Sequence, residues 1–207
     1  MTEGSVLVAH QVSVQIDGFV LLPATSLMLE PGRCTAIRGE NGAGKTTLLR
    51  VLAGRTPATT GSVALDGAPI DERRPDARSA IAALIEPPTL YPDLTLQDHL
   101  GLIAAAWGAG DPEGALRRFN IDALRERFPN ELSSGQRQLV SLAVTFARPY
   151  SILLLDEPEQ RLDPTRRGLV AEALIEARDR GVAVAFATHD ATLVERVADA
   201  ELVVGAA

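Results

Sequence analysis

Apolar and polar positions alternate early in the chain, where Val12, Val14 and Ile16 occupy every second place. The segments Ser26-Leu27-Met28-Leu29 and Cys34-Thr35-Ala36-Ile37 follow, parted by Pro31-Gly32. A period of two predicts strands here, and the Pro-Gly pair predicts the turn between them. Beyond a glycine-rich stretch, a helix is expected from about Gly44 to Ala53, stopped by Gly54. Gly61 to Ile70 reads as a hairpin turning at Asp66-Gly67. Ile81 to Ile85 reads as a strand closed by Pro87-Pro88, and Thr95 to about Arg127 as helix interrupted by glycines. Ser151 to Leu155 is a short, apolar, buried strand. Asp163 as N-cap, Pro164 in the first turn and Gly181 as terminator delimit a helix from Pro164 to Arg180. Val182 to Ala187 is the next strand, and a helix and a strand finish the chain. This alternation predicts an α/β fold with a parallel sheet, a helical insertion near 90–147 and an antiparallel β region at the start.

With 207 residues, 46% hydrophobic and 23% charged, the chain has enough apolar material for one folded domain. No apolar run reaches the ~18–20 residues of a membrane span, and no basic region followed by an apolar stretch marks a secretory signal. The single cysteine, Cys34, excludes an intrachain disulfide and fits a reducing, cytoplasmic setting. A net charge of -7 argues against nucleic acid as the main partner. Lys45 is the only lysine; the other basic residues are arginine. An arginine fork is a poor substitute where a compact ammonium is needed.

Lys45 lies in Gly39-Glu40-Asn41-Gly42-Ala43-Gly44-Lys45-Thr46, followed by Thr47, which fits the phosphate-loop pattern G-x-x-x-x-G-K-[ST]. Glycines let backbone N–H groups curl around phosphate oxygens, and the helix that follows turns its positive end to the same anion. The lysine neutralises the outer phosphates, and the Thr46 hydroxyl is suited to Mg²⁺. The expected ligand is therefore a nucleotide polyphosphate with Mg²⁺; the loop alone leaves kinases, GTPases and many motors open.

Three more stretches carry a family resemblance. Leu132-Ser133-Ser134-Gly135-Gln136 opens a helix 24 residues before Asp156 and resembles the signature of the ABC ATPases. Serine at 134 replaces the glycine usual there. In that family two subunits close head to tail, so the signature of one covers the ATP on the loop of the other. Ser151 to Leu155 ends in Asp156-Glu157. The resemblance makes Asp156 the Mg²⁺-side carboxylate and Glu157 the group that polarises the attacking water. Both require that this strand lie beside the one feeding the phosphate loop. His189 stands 32 residues after Glu157, at the place of the family's switch histidine, which contacts the γ-phosphate. Gln160-Arg161-Leu162-Asp163 corresponds to a segment that crosses the dimer interface.

The resemblance implies one ABC ATPase domain over 1–207, with a core of about 1–88 and 148–207 and a helical subdomain of about 89–147. It implies that the nucleotide is ATP, and an ATP-hydrolysing subunit that pairs with a second ABC ATPase subunit and with integral membrane transporter subunits, on the inner face of the cell membrane. Glu86 replaces the usual Mg²⁺-touching glutamine, a role that a carboxylate also suits. With Tyr91 to Thr95 it resembles the peptide-antibiotic and bacteriocin immunity branch, and the short length resembles the haem-exporter ATPase. An aromatic residue that stacks on adenine is usual near Ile16, and Phe19 is the nearby candidate. The rival is a soluble ABC ATPase not coupled to a transporter. Its DNA-repair members carry a long coiled coil, whereas here 46 residues separate Glu86 from Leu132.

Overall fold

In the computed structural model, which describes residues 5–205, helix α1 (Lys45–Leu52) lies between two sheets. The antiparallel sheet contains β1 (Leu7–Ile16), β2 (Phe19–Leu29), β4 (Thr60–Leu65) and β5 (Ala68–Pro69), in the order β2-β1-β4-β5. The parallel sheet contains β3 (Cys34–Arg38), β6 (Ile81–Leu84), β7 (Ile152–Asp156), β8 (Ala183–Ala187) and β9 (Ala200–Val203). Its order is β6-β7-β8-β3-β9. Side-chain alternation places Ile152 and Leu154 of β7 in the layer with α1, and Leu153 and Leu155 in the layer opposite. All four are fully buried, which explains why this strand shows no polar alternation in sequence.

An eight-residue helix is too short to persist alone. Leu48, Leu49 and Leu52 hold α1 in place, each buried side chain contributing roughly 1.5–3 kcal/mol. On the opposite layer pack α5 (Ser134–Phe146), α6 (Pro164–Asp179) and α7 (Ala191–Val197). Helices α3 (Leu96–Trp107) and α4 (Pro112–Arg118) pack against α5, with Phe119 edge-on to Phe146 at 5.2 Å. Gly108 ends α3 at φ 59°, the left-handed closure that splits the expected Thr95–Arg127 helix.

One expectation is corrected. β7 is not the neighbour of β3, because β8 pairs with both and lies between them. Its carboxylates still reach the glycine loop, since α1 packs across the sheet onto β7. A short helix, α2 (Pro75–Ala80), was absent from the sequence reading; only Ala77 of its six residues is buried, so it has no apolar period.

Candidate nucleotide site

The glycine loop joins β3 to α1, and its shape demands glycine at two places. A Cβ on Gly44 (φ 104°) would stand 2.5 Å from the Leu21 carbonyl oxygen, and one on Gly39 (φ 146°) 2.6 Å from that of Val204. Ala43 N–H donates to Glu40 O at 3.2 Å. The N–H groups of Asn41, Gly42, Gly44 and Lys45 have no acceptor among the described residues. Free donors of this kind, ahead of a helix N-terminus, suit an anion. Lys45 is folded over the loop, its Nζ donating to Gly39 O (2.8 Å) and Glu40 O (3.0 Å).

Thr46 Oγ1 donates to Asp156 Oδ2 at 2.5 Å, which brings the phosphate loop and the end of β7 together. Burial raises the Asp156 pKa, with the Thr46 hydroxyl and Lys45 opposing. Just past the strand, Glu157 adopts φ 47° and anchors its N–H on Ala187 O at 2.9 Å. Its Oε1 lies 3.0 Å from His189 Nε2. Burial first, then the neighbouring Glu159 and Asp156, push the Glu157 carboxyl up to about 7. A carboxylate held near neutrality is suited to taking a proton from water.

These groups open onto a cleft of about 540 Å³ lined by Asn41, Gly42, Gly44, Lys45, Thr46 and Thr47, with Asp156, Glu157 and His189 opposite. Gly39 and Glu40 line an adjoining hollow with Thr188 and His189, and Ala43 packs beneath. Free amides, one lysine and the Thr46–Asp156 oxygen pair fit a polyphosphate with a hard divalent cation.

The ABC transporter family model matches residues 22–160. The chain belongs to the ABC transporter family of ATP-binding proteins. It is 36% identical over 173 residues to the thiamine import ATP-binding protein ThiQ of Vibrio vulnificus, covering 80% of this chain and 74% of that one. It is 31% identical to the ABC-type transporter ATP-binding protein EcsA of Bacillus subtilis, over 88% of this chain and 76% of EcsA. A solved ATP-binding subunit of an ABC transporter superposes with a TM-score of 0.87 and 26% identity, covering 96% of this chain and 85% of that one.

The remaining site residues of this ABC ATP-binding domain fall outside the cleft. Ser133 caps α5: its hydroxyl accepts from Gln136 N–H (3.3 Å) and the Gln136 side chain accepts from Ser133 N–H (2.8 Å). Gly135 is buried, with room for a Cβ only 3.0 Å from Arg161 O. None of Ser133, Ser134, Gly135 and Gln136 lines the cleft. Glu86 does not line it either; its two oxygens accept from Arg50 Nε (2.7 Å) and Arg55 Nη1 (3.0 Å).

Three features escaped the sequence reading. Glu159 is 4% exposed and accepts from the Thr188 hydroxyl, while its second oxygen has no partner. Gln138 donates to Pro158 O at 3.0 Å, tying α5 to the Asp156-Glu157 loop. No periodic or motif signal marks either residue. Val20 and Leu21, at the start of β2, form the cleft wall, whereas Phe19 is 74% exposed and is not on it.

Aliphatic walls do not read a base edge, and an aromatic platform contributes roughly 1–3 kcal/mol where present. ATP and GTP are therefore expected to compete with dissociation constants within about tenfold of each other. Phe19→Ala should leave that ratio unchanged. A strong ATP preference abolished by Phe19→Ala would show instead that Phe19 holds the base.

Proposed function

We propose that this chain hydrolyses ATP to drive head-to-tail closure of two ABC ATPase subunits, and that closure energises substrate movement by separate integral membrane subunits. The observation that carries the reading is the division of the site. Lys45, Thr46, Asp156, Glu157 and His189 gather at one cleft, whereas the capped start of α5 at Ser133 lies outside it. Loop amides and Lys45 hold the phosphates, with Lys45 exchanging its two carbonyl partners for phosphate oxygens. Thr46 and Asp156 would hold Mg²⁺, which when bound offsets charge on the β- and γ-phosphates. Glu157 takes the proton of the attacking water, and His189, 3.0 Å away, orients Glu157 and the γ-phosphate edge. The Glu86 pairs are half-exposed and contribute at most about 1 kcal/mol each, so this carboxylate is free to turn toward the cation.

The remaining flank is supplied by Ser133, Gly135 and the α5 N-terminus of a second subunit, which add donors where charge develops. In this reading the core spans about 1–88 and 148–207, and the helical subdomain about 89–147. Among the described residues no helix is long and apolar enough to cross a membrane, which accords with docking onto membrane subunits at the inner face of the cell membrane. The net charge of -7 gives no support to a nucleic-acid partner.

Sedimentation tests the assembly. The chain without nucleotide should be mostly monomeric, and Glu157→Gln should dimerise with ATP and much less with ADP. Dimers that ignore the nucleotide would contradict the reading.

A further inference from the structure

Two loops meet beside the cleft, Glu157 to Leu162 after β7 and Thr188 to Asp190 after β8. The Glu157 N–H donates to Ala187 O at 2.9 Å, so the loops leave the sheet side by side. Besides the contact between Glu157 and His189, a second and buried contact joins them. Glu159 and Thr188 are 4% and 1% exposed, and the Thr188 hydroxyl donates to Glu159 Oε1. The same Thr188 oxygen accepts from Asp190 N–H at 2.9 Å, which leaves its proton for Glu159. Asp190 in turn caps α7, accepting from Thr192 N–H (2.9 Å) and Leu193 N–H (3.2 Å). A ring results. It runs along the chain from Glu157 to Glu159, through the buried bond to Thr188, on to His189, and back over 3.0 Å to Glu157.

The contacts that hold the two loops together differ in strength. The His189 side chain is half-exposed, and such a pair with a carboxylate is screened and weak. Arg167 makes a further tie, from Leu162 O (3.0 Å) to Asp190 Oδ2 (2.9 Å), but its side chain is also half in solvent. The bond between Glu159 and Thr188 is shielded from water and is therefore the strongest of the three. It decides where the His189 turn sits relative to Glu157. Gln138, donating to Pro158 O at 3.0 Å, holds the other side of the ring against α5. Stability alone does not account for Glu159. Burying a carboxylate is costly, and its Oε2 has no partner among the described residues.

We propose that Glu159 is a positioning residue for hydrolysis: through Thr188 it fixes the turn that carries His189 and so keeps His189 within reach of Glu157. The inference rests on the hydrolytic reading above. It is separate from the influence of Glu159 on the Glu157 proton, because a neutral glutamine at 159 would still accept from Thr188.

The test is single-turnover hydrolysis by the purified full chain well above pH 7, where the Glu157 carboxyl is deprotonated in wild type and variants alike. Glu159→Leu removes the acceptor and should lower the rate about 10–10²-fold, the scale of a misplaced group. Affinity for a fluorescent ATP analogue should not change, since Glu159 does not line the cleft. Thr188→Val keeps the shape but removes the donor, and should slow hydrolysis to a similar extent. Glu159→Gln keeps the acceptor and should stay within about threefold of wild type. His189→Ala provides the deciding background. With His189 gone, adding Glu159→Leu should cost less than about twofold more, because residues acting through one another are not additive. Losses that multiply on that background would overturn the proposal. So would a wild-type rate for Glu159→Leu, or a Glu159→Gln chain as slow as Glu159→Leu. Should Glu159→Leu fail to fold, Thr188→Val with and without His189→Ala gives the same decision. If Glu157→Gln and His189→Ala both hydrolyse ATP at the wild-type rate, the hydrolytic reading itself falls, and the proposal with it.

Discussion

Glu157→Gln is expected to bind ATP as wild type does and to lose hydrolysis by ~10²–10⁴-fold, the usual worth of a positioned general base. The amide keeps the shape of the side chain and its neighbour His189 at the same place, but it cannot accept the proton of the attacking water. In the proposed reading the phosphates are held elsewhere, by the loop amides and Lys45, so binding should survive. The wild-type pH profile gives the same assignment a second readout. A base pushed up to about 7 is progressively protonated as pH falls through that value, so turnover should decline on the acid side of neutrality. Glu159→Gln removes one cause of the shift, so the acid limb should move to lower pH. Single-turnover hydrolysis alongside nucleotide binding measures both effects. Near wild-type turnover by Glu157→Gln would assign the base to another group.

Lys45→Ala acts on the other side of the same chemistry and should weaken ATP binding itself. A hydrogen bond to a charged group contributes about 1.5–3 kcal/mol, so losing one corresponds to a roughly 10–10²-fold rise in dissociation constant. Lys45 is 7% exposed and already held over the loop, so little hydration is lost when phosphate replaces its carbonyl partners. Lys45→Arg should not restore affinity. A planar fork does not reproduce the single compact charge that Lys45 places against both the Gly39 and Glu40 carbonyls. Titration of each variant with a fluorescent ATP analogue checks this, and affinity within about twofold of wild type for Lys45→Ala would contradict the assignment.

What was legible in sequence were features with a local cause. The Gly39–Thr46 pattern is dictated by positive φ angles and by backbone closing on Leu21 and Val204, so its glycines had to be visible. The α6 boundaries follow from the Asp163 cap, whose side chain accepts from Arg166 N–H at 2.9 Å. The segment Leu132 to Gln136 is legible as the opening of a helix, and the reciprocal capping bonds of Ser133 and Gln136 form within four residues. Sheet order was less legible. Nothing in Ser151–Leu155 or Val182–Ala187 distinguishes which of two buried, apolar strands lies next to β3, because each is covered on both faces. Glu159 was invisible for a related reason. Its environment is made by Thr188, 29 residues away, and no spacing within its own loop hints at a buried carboxylate. Arg50 on α1 and Arg55 just after it hold Glu86 from across the sheet end, so the placement of Glu86 could not be read from its own segment.

The central claim is that one nucleotide site is completed by two chains. Mixing two inactive variants tests it most directly. Lys45→Ala destroys the phosphate loop but keeps the signature, and Ser133→Arg blocks the signature but keeps the loop. Each alone should hydrolyse almost no ATP. An equimolar mixture should regain activity, because pairing one of each unites an intact loop with an intact signature. A mixture as inactive as its components, or a Ser133→Arg chain with wild-type turnover, would contradict a site shared between subunits.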